Sequence, residues 1–387
     1  MGRPAAAEER PAARRGRIAH VSVVHPALDG RIFYREAQSL RALGYEVAVF
    51  GLHPTNECVE GVPVHPVKVP CARWLRFLTS WWTLLKIMSN HRADVYHIHD
   101  PELLPASLLA KMLLRRRVVF DAHEDVSLTF LKEYLRGWLK GPLARVMTFV
   151  VEATARRIDG VVTCTRLLHE AYEPFSRRVV TFVNYPAPRF IAEAEAARRP
   201  FSERRNEIVH VGTLRTERLR FLMDVLSRFL ERHQEWSAVL MGMHEPQRRW
   251  FEQNVSGEMR GRLTVIGKIP HLEVPHRLCM AKIGINYHPL DSRQVQVAIP
   301  VKVFEYMVCG LPVVTTRLPL LVEVVKDCPA VALVDEDAGS YLAALEAMAE
   351  RSDLAALGRE AQRFSAERFD CLAQARELAD FYEAIRG

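Results

Sequence analysis

No stretch of this sequence is apolar for long enough to cross a bilayer, and its first residues lack the apolar core of a secretion signal. Cysteine is sparse: the seven, Cys58, Cys71, Cys164, Cys279, Cys309, Cys328 and Cys371, are odd in number and never spaced C-x-x-C. That excludes a disulfide framework and reads as reduced, intracellular thiols. No G-x-G-x-x-G occurs, so the usual fingerprint of a nicotinamide dehydrogenase is missing. Charge of one sign is also scarce, since 53 basic against 46 acidic residues leave only +7. With no zinc-finger or RNA-binding string beside it, that surplus excludes a nucleic-acid reader and fits an anionic small molecule or an anionic membrane surface.

What is present is enough apolar material, 49% of 387 residues, to fill two cores rather than one. Residues 1–16 are mostly Ala, Arg and Glu and read as a disordered leader. From Arg17 short apolar strands alternate with helical stretches, which predicts an α/β domain with a parallel sheet over 17–190. The run IFYREAQSLRALGYEV reads as one amphipathic helix leading into a strand. In such sheets ligands sit beyond the carboxyl ends of the strands. The loop after RIAHVSVVHP therefore offers His25, Asp29, Gly30 and Arg31, with a simple Asp–Arg turn as the alternative. The loop after DVYHIHDPELLP offers His99 and Asp100, which serve equally well to shape the loops, and VVFDAHEDV offers His123. Two histidines among several carboxylates suit a metal on spacing alone.

Two stretches, 71–88 and 127–150, mix Trp, Phe and Leu with Arg and Lys. They read either as interfacial membrane contacts or as helices packed on the sheet. The expectation is a cytoplasmic protein with a peripheral contact on the inner face of the membrane.

The polar, Arg-rich run from Ala192 marks a boundary, and a second α/β domain is expected over 191–368. Its first strand, IVHVG, runs into a basic loop with Gly212, Arg215 and Arg218. The D-x-D at Asp335 and Asp337 reads as a turn and the N-cap of the next helix. Between them VQVAIPVKVFEYMVCGLPVVTT, residues 295–316, predicts a short helix opened by Pro300 and stopped at Gly310. Lys302 and Glu305 share one of its faces, and Val301, Phe304 and Val308 form an apolar stripe. A helix start with a lysine beside it is a ready site for a phosphate.

KVFEYMVCGLPVV resembles the nucleotide-sugar segment of family 4 of the retaining glycosyltransferases, and HP..D.RIF..E, HDPELLP and DAHED resemble that family's first-domain loops. The resemblance implies the GT-B fold, with two Rossmann-like domains facing a central cleft and a last helix, 369–387, crossing back to the first. It implies a hexosyltransferase moving a sugar from a nucleoside diphosphate sugar, a UDP sugar by preference, to a hydroxyl of a glycan or lipid-linked acceptor in polysaccharide biosynthesis. Carried over by position, His123 lies beside the transferred sugar, while Lys302 and Arg218 stabilise the diphosphate. Gly30, Gly212, Arg215, Pro300 and Glu305 bind the donor, Glu305 through the ribose. His25, Asp29, Arg31, His99 and Asp100 line the acceptor side. No cofactor and no metal are implied. Two positions depart from the pattern: Thr213 stands where the family's Arg is commonest, and Val297 where it has the first of two glutamates. Gln294 or Gln296 is left to replace that glutamate, so the donor sugar stays open. A catalytically silent protein that binds a nucleotide sugar or a partner transferase, and a nucleotide-sugar epimerase of the same fold, are the alternatives.

Overall fold

The computed structural model describes residues 15–68, 73–122, 140–290 and 298–387. The chain forms two units, one of Met1–Val183 with Leu372–Gly387 and one of Asn184–Cys371.

The first unit is built on β1 (Arg17–Pro26), β2 (Glu46–Leu52), β3 (Glu57–Val59), β4 (Val62–Pro66), β5 (Val95–Ile98), β6 (Val118–Ala122), β7 (Gly160–Thr163) and β8 (Val179–Thr181). They lie in the order β3-β4-β2-β1-β5-β6-β7-β8. Only the β3–β4 hairpin is antiparallel among the described pairs; the rest are parallel and read as near-continuous apolar runs because helices cover both faces. The chain moves outward one way from β1 to β2 and the other way from β5 to β6, so the switch point falls between β1 and β5. Helices Arg73–Asn90, Leu104–Leu114 and Lys140–Ala155 supply Leu84, Met88, Leu104, Ala110 and Val151 to the core beneath Val21, Tyr96 and Phe120.

The single amphipathic helix expected after β1 is instead a π-helix, Gly30–Ala37, followed by a short α-helix, Gln38–Ala42. Two features account for the wider turn. Asp29 accepts from the backbone N–H groups of Arg31 (2.7 Å) and Ile32 (3.2 Å), fixing the first turn. The buried side chains of Arg31 and Glu36, five apart, then meet with Nε 3.0 Å from Oε1, a spacing that π geometry brings onto one face.

The last helix, Cys371–Arg386, belongs to the first unit from Leu372 onward. Tyr382 Oη lies 2.7 Å from His97 Nδ1, and Tyr45 Oη donates to Glu383 Oε1 at 2.6 Å. Most of the leader expected over 1–16 lies outside the described residues.

The second unit holds β9 (Glu207–Val211), β10 (Ser237–Met241), β11 (Leu263–Ile266), β12 (Ile283–Asn286), β13 (Val313–Thr316) and β14 (Val331–Val334) in the order β11-β10-β9-β12-β13-β14, every pair parallel. Its switch point lies between β9 and β12. Helix Thr216–Arg232 buries Leu219, Leu222, Met223, Leu226 and Phe229, one stripe at helical spacing. Asp337 caps helix Ala338–Ala349, accepting from Ser340 N (2.9 Å) and Ser340 Oγ (2.6 Å).

Candidate active site

The switch point of the second sheet gathers most of the residues expected to hold a diphosphate. Helix Val301–Val308 starts there, with Pro300 as the N-cap rather than the first helical residue. Pro300 carries no side-chain acceptor for the helix's first N–H groups; Val303 N donates to Pro300 O at 3.1 Å, and the amides ahead of it suit an anion. The helix is held down by Tyr306, whose Oη accepts from Val211 N (2.9 Å) and donates to Ile285 O (3.3 Å), fastening it to the ends of β9 and β12. Phe304 and Val308 are buried as expected, Val301 less so. Glu305 is buried as well, on the same helical face as Lys302. Past the helix Gly310 takes a φ of +70°, the left-handed stop that glycine accepts without strain.

Lys302 reaches over Gly212, which follows β9 with a φ of +106°. A methyl group on Gly212 would lie 3.2 Å from Lys302 Nζ, so the bare glycine makes room for the ammonium. Arg218, from the first turn of helix Thr216–Arg232, donates through Nη1 to His288 Nδ1 at 2.9 Å. His288 follows β12, and its backbone N–H is held by Thr316 Oγ1 at 3.0 Å. Burial first, then the charges of Lys302 and Arg218, press the His288 imidazole down to about 3, so it accepts from the guanidinium as a neutral ring. His210, buried on β9, is likewise driven well below the usual histidine range by burial and then by Lys302. Lys302 itself is pulled down to about 8 by burial and by Arg218, with Glu305 opposing. Two mutually repelling cations beside the start of a helix suit an anion.

Arg215 is the exposed N-cap position of the Thr216–Arg232 helix, without a hydrogen bond from its side chain to that helix. His123, Gln294, Gln296 and Val297 lie outside the described residues.

The strand-end residues of the first unit are gathered differently. Asp29 is the cap of the π-helix, and Gly30 is its first residue. Arg31 turns inward: Nε and Nη2 donate to the two oxygens of Asp121 at 2.7 and 2.8 Å, and Nη1 to Phe182 O at 2.8 Å. Asp100 accepts from the backbone of Val23 at 2.5 Å and from Ser22 Oγ at 3.0 Å, tying the end of β1 to that of β5. His25 Nε2, partly exposed, stands 3.6 Å from Asp100 Oδ1. His99 is buried with His20, His97 and Glu36.

Sequence reasoning passed over His288, His20, His97 and Glu36. Each owes its place to a partner at least sixteen positions away in the chain; the local signals were the strand-end location of His288, just past IGINY, and the place of Glu36 as the last letter of HP..D.RIF..E.

Residues 30–185 match the family model of the glycosyl transferase 4-like domain, and residues 205–351 that of the glycosyl transferases group 1. No curated protein matches the chain in sequence. Among solved structures, sucrose-phosphate synthase from Thermosynechococcus elongatus is similar at a TM-score of 0.71 and 18% identity, over 95% of this chain and 98% of that one. WaaG, a glycosyltransferase involved in lipopolysaccharide biosynthesis, gives 0.68 and 16%, over 94% and 98%. HepE of Anabaena, solved with UDP-glucose, gives 0.67 and 14%, over 95% and 100%. Identities this low speak for the fold alone, and that fold is GT-B. Together with the two domain matches it makes the chain a glycosyltransferase of the GT-B superfamily.

Proposed function

We propose that this glycosyltransferase is a retaining hexosyltransferase of family 4, taking a sugar from a nucleoside diphosphate donor to a hydroxyl of a glycan or lipid-linked acceptor in polysaccharide assembly. The observation that carries the reading is the pairing of Lys302 with Arg218 beside the start of the Val301–Val308 helix, two cations with Gly212 cleared beneath them. Departure of the nucleoside diphosphate builds negative charge on its bridging oxygen. Cations and N–H groups already in place stabilise that charge without reorganising. The acceptor oxygen attacks the anomeric carbon from the face that the diphosphate leaves, and the departing phosphate takes the acceptor's proton. Configuration is retained, and neither an enzyme nucleophile nor a metal enters the step. Glu305 binds the ribose hydroxyls, Arg215 and Gly30 contribute to donor binding, and His123 stands beside the sugar. A UDP donor is favoured because similar folds have been solved with UDP-glucose and UDP.

An acceptor at a membrane is supported by the first unit's surface. Trp82 (73% exposed), Leu109, Met112 (77%), Leu113, Val146 and Phe149 all project from the neighbouring helices Arg73–Asn90, Leu104–Leu114 and Lys140–Ala155. Lys86, Arg115 and Arg145 are exposed on or beside the same helices. Exposed apolar side chains with basic ones on or beside the same helices suit the boundary of an anionic bilayer. Among the described residues no helix is long and apolar enough to cross it. By contrast Trp81 faces inward, donating to Glu102 O at 2.9 Å.

The test is a thermal-shift panel of UDP, GDP, dTDP and ADP sugars, followed by NMR of the product. A stabilising donor whose sugar appears on an acceptor hydroxyl with its anomeric configuration kept is the expected result. Inverted configuration, or C2 inversion of the free nucleotide sugar, overturns the reading. Flotation with anionic vesicles, lost on changing Trp82, Met112 and Leu113 to Ser, tests the membrane contact.

A further inference from the structure

The first unit carries a second polar assembly, to which the transfer step described above assigns no role. His20 on β1 is paired in register with His97 on β5, and His99 lies two residues further on, so all three imidazoles stand on one face of the sheet. Glu36, from the π-helix Gly30–Ala37, comes down onto them. All four side chains are at most 1% exposed.

Their facing atoms are close. His20 Nδ1 is 3.0 Å from His99 Nε2 and 3.5 Å from Glu36 Oε2, while Oε2 is 3.6 Å from His97 Nδ1 and 4.0 Å from His99 Nε2. One donor atom from each residue fits within 4.8 Å of the other three. The longer separations are beyond hydrogen bonding. Taken with the 3.0 Å contact, separations of 3.0 to 4.0 Å bracket the edge of a tetrahedron, about 3.3 Å, whose corners lie about 2.0 Å from a central ion.

The surroundings fit the same account. Asp121 Oδ2 sits 2.9 Å from His99 Nδ1, which fixes the proton there and turns the Nε2 lone pair to the cluster, the support that metal-bound histidines receive. Neither Glu36 oxygen receives a hydrogen bond, although Arg31 Nε approaches Oε1 to 3.0 Å as an ion contact.

We propose that His20, His97, His99 and Glu36 bind one divalent transition-metal ion, with zinc the best match to three imidazoles and a carboxylate. Four buried protein ligands leave no open position, so the site is structural. It clamps the π-helix to β1 and β5 and takes no part in the transfer step. On binding, the ion replaces Tyr382 Oη as the partner of His97 Nδ1.

The full-length chain, freed of metal by dialysis against a chelator, is titrated with cobalt(II). One equivalent should bind with the strong visible absorption of four-coordinate cobalt, raise the melting temperature and be displaced by zinc. Glu36→Gln and His20→Gln, each checked for fold by circular dichroism, should lose the absorption, while Lys302→Ala should keep it. Failure of the wild-type chain to develop the absorption overturns the proposal and leaves a hydrogen-bonded cluster, with His20 Nδ1 donating to His99 Nε2. Undiminished binding by both histidine and glutamate variants overturns it as well.

Discussion

The two sheets put charge at the same topological place, the strand ends around the switch point, and balance it in opposite ways. In the first unit Arg31, Asp121, Glu36 and three histidines face one another, buried, with two guanidinium nitrogens of Arg31 bonded to both oxygens of Asp121. In the second, Lys302 and Arg218 have neutral histidines for neighbours, and the lysine is held at about 8 by burial and by the arginine's charge. A cluster that meets its own electrostatic needs is closed to a diphosphate. A cluster left with surplus charge and a bare glycine beneath it is one whose balance a ligand completes.

Unbalancing the closed cluster should have the largest effect. Asp121→Asn leaves the Arg31 guanidinium buried with Glu36 alone, and breaking such a pair costs about 3–5 kcal/mol in a urea melt. An unchanged midpoint would mean that the pair is not structural.

Removing a cation from the open cluster should do the reverse, hurting turnover and sparing the fold. Lys302→Ala should lower kcat/KM for the donor by about 10²–10³-fold, the usual worth of one preorganised group at a developing charge. Its melting temperature should hold or rise, because Arg218 loses a repelling neighbour. A fall in stability with turnover intact would make Lys302 a structural residue.

Tyr306→Phe comes next, at about 1–3 kcal/mol, since it strands the Val211 N–H at the strand end and loosens the helix that carries Lys302. Both stability and donor affinity should drop.

The smallest effect is titration of the lysine. Below pH 8 it is charged and donor affinity should be level. As pH rises through its folded value of about 8 the charge is lost, and the donor dissociation constant should rise by up to about tenfold per unit. Calorimetry at pH 7, 8 and 9 reads this, and Lys302→Ala should abolish the slope.

The open cluster was largely legible in the sequence because it is local: Pro300, Lys302, Glu305 and Gly310 are set by eleven consecutive residues, and Gly212 ends an apolar strand. The parallel α/β architecture was legible for the same reason, since alternation of short apolar runs with helical stretches leaves few other folds. The closed cluster was legible only in Arg31 and His99, named as strand-end residues. It is assembled from β1, β5, β6, the π-helix and the last helix, and strand register, which no single segment encodes, brings His20 opposite His97. The π-helix escaped because eight residues of apolar pattern do not separate its period from that of an α-helix; the Asp29 cap and the distant Asp121 decide it. His288 needed Arg218, seventy positions earlier, to become more than a loop residue.

The first unit borrows its closing segment from the far end of the chain, through Tyr382 on His97 and Glu383 on Tyr45. On the ribosome, residues 15–183 must therefore wait, lacking that plug, until the whole second unit has been made. A nascent protein stalled before Leu372 would present chaperones with one finished half and one unfinished half. Any library of truncations would find the last sixteen residues indispensable to the opposite end of the sequence.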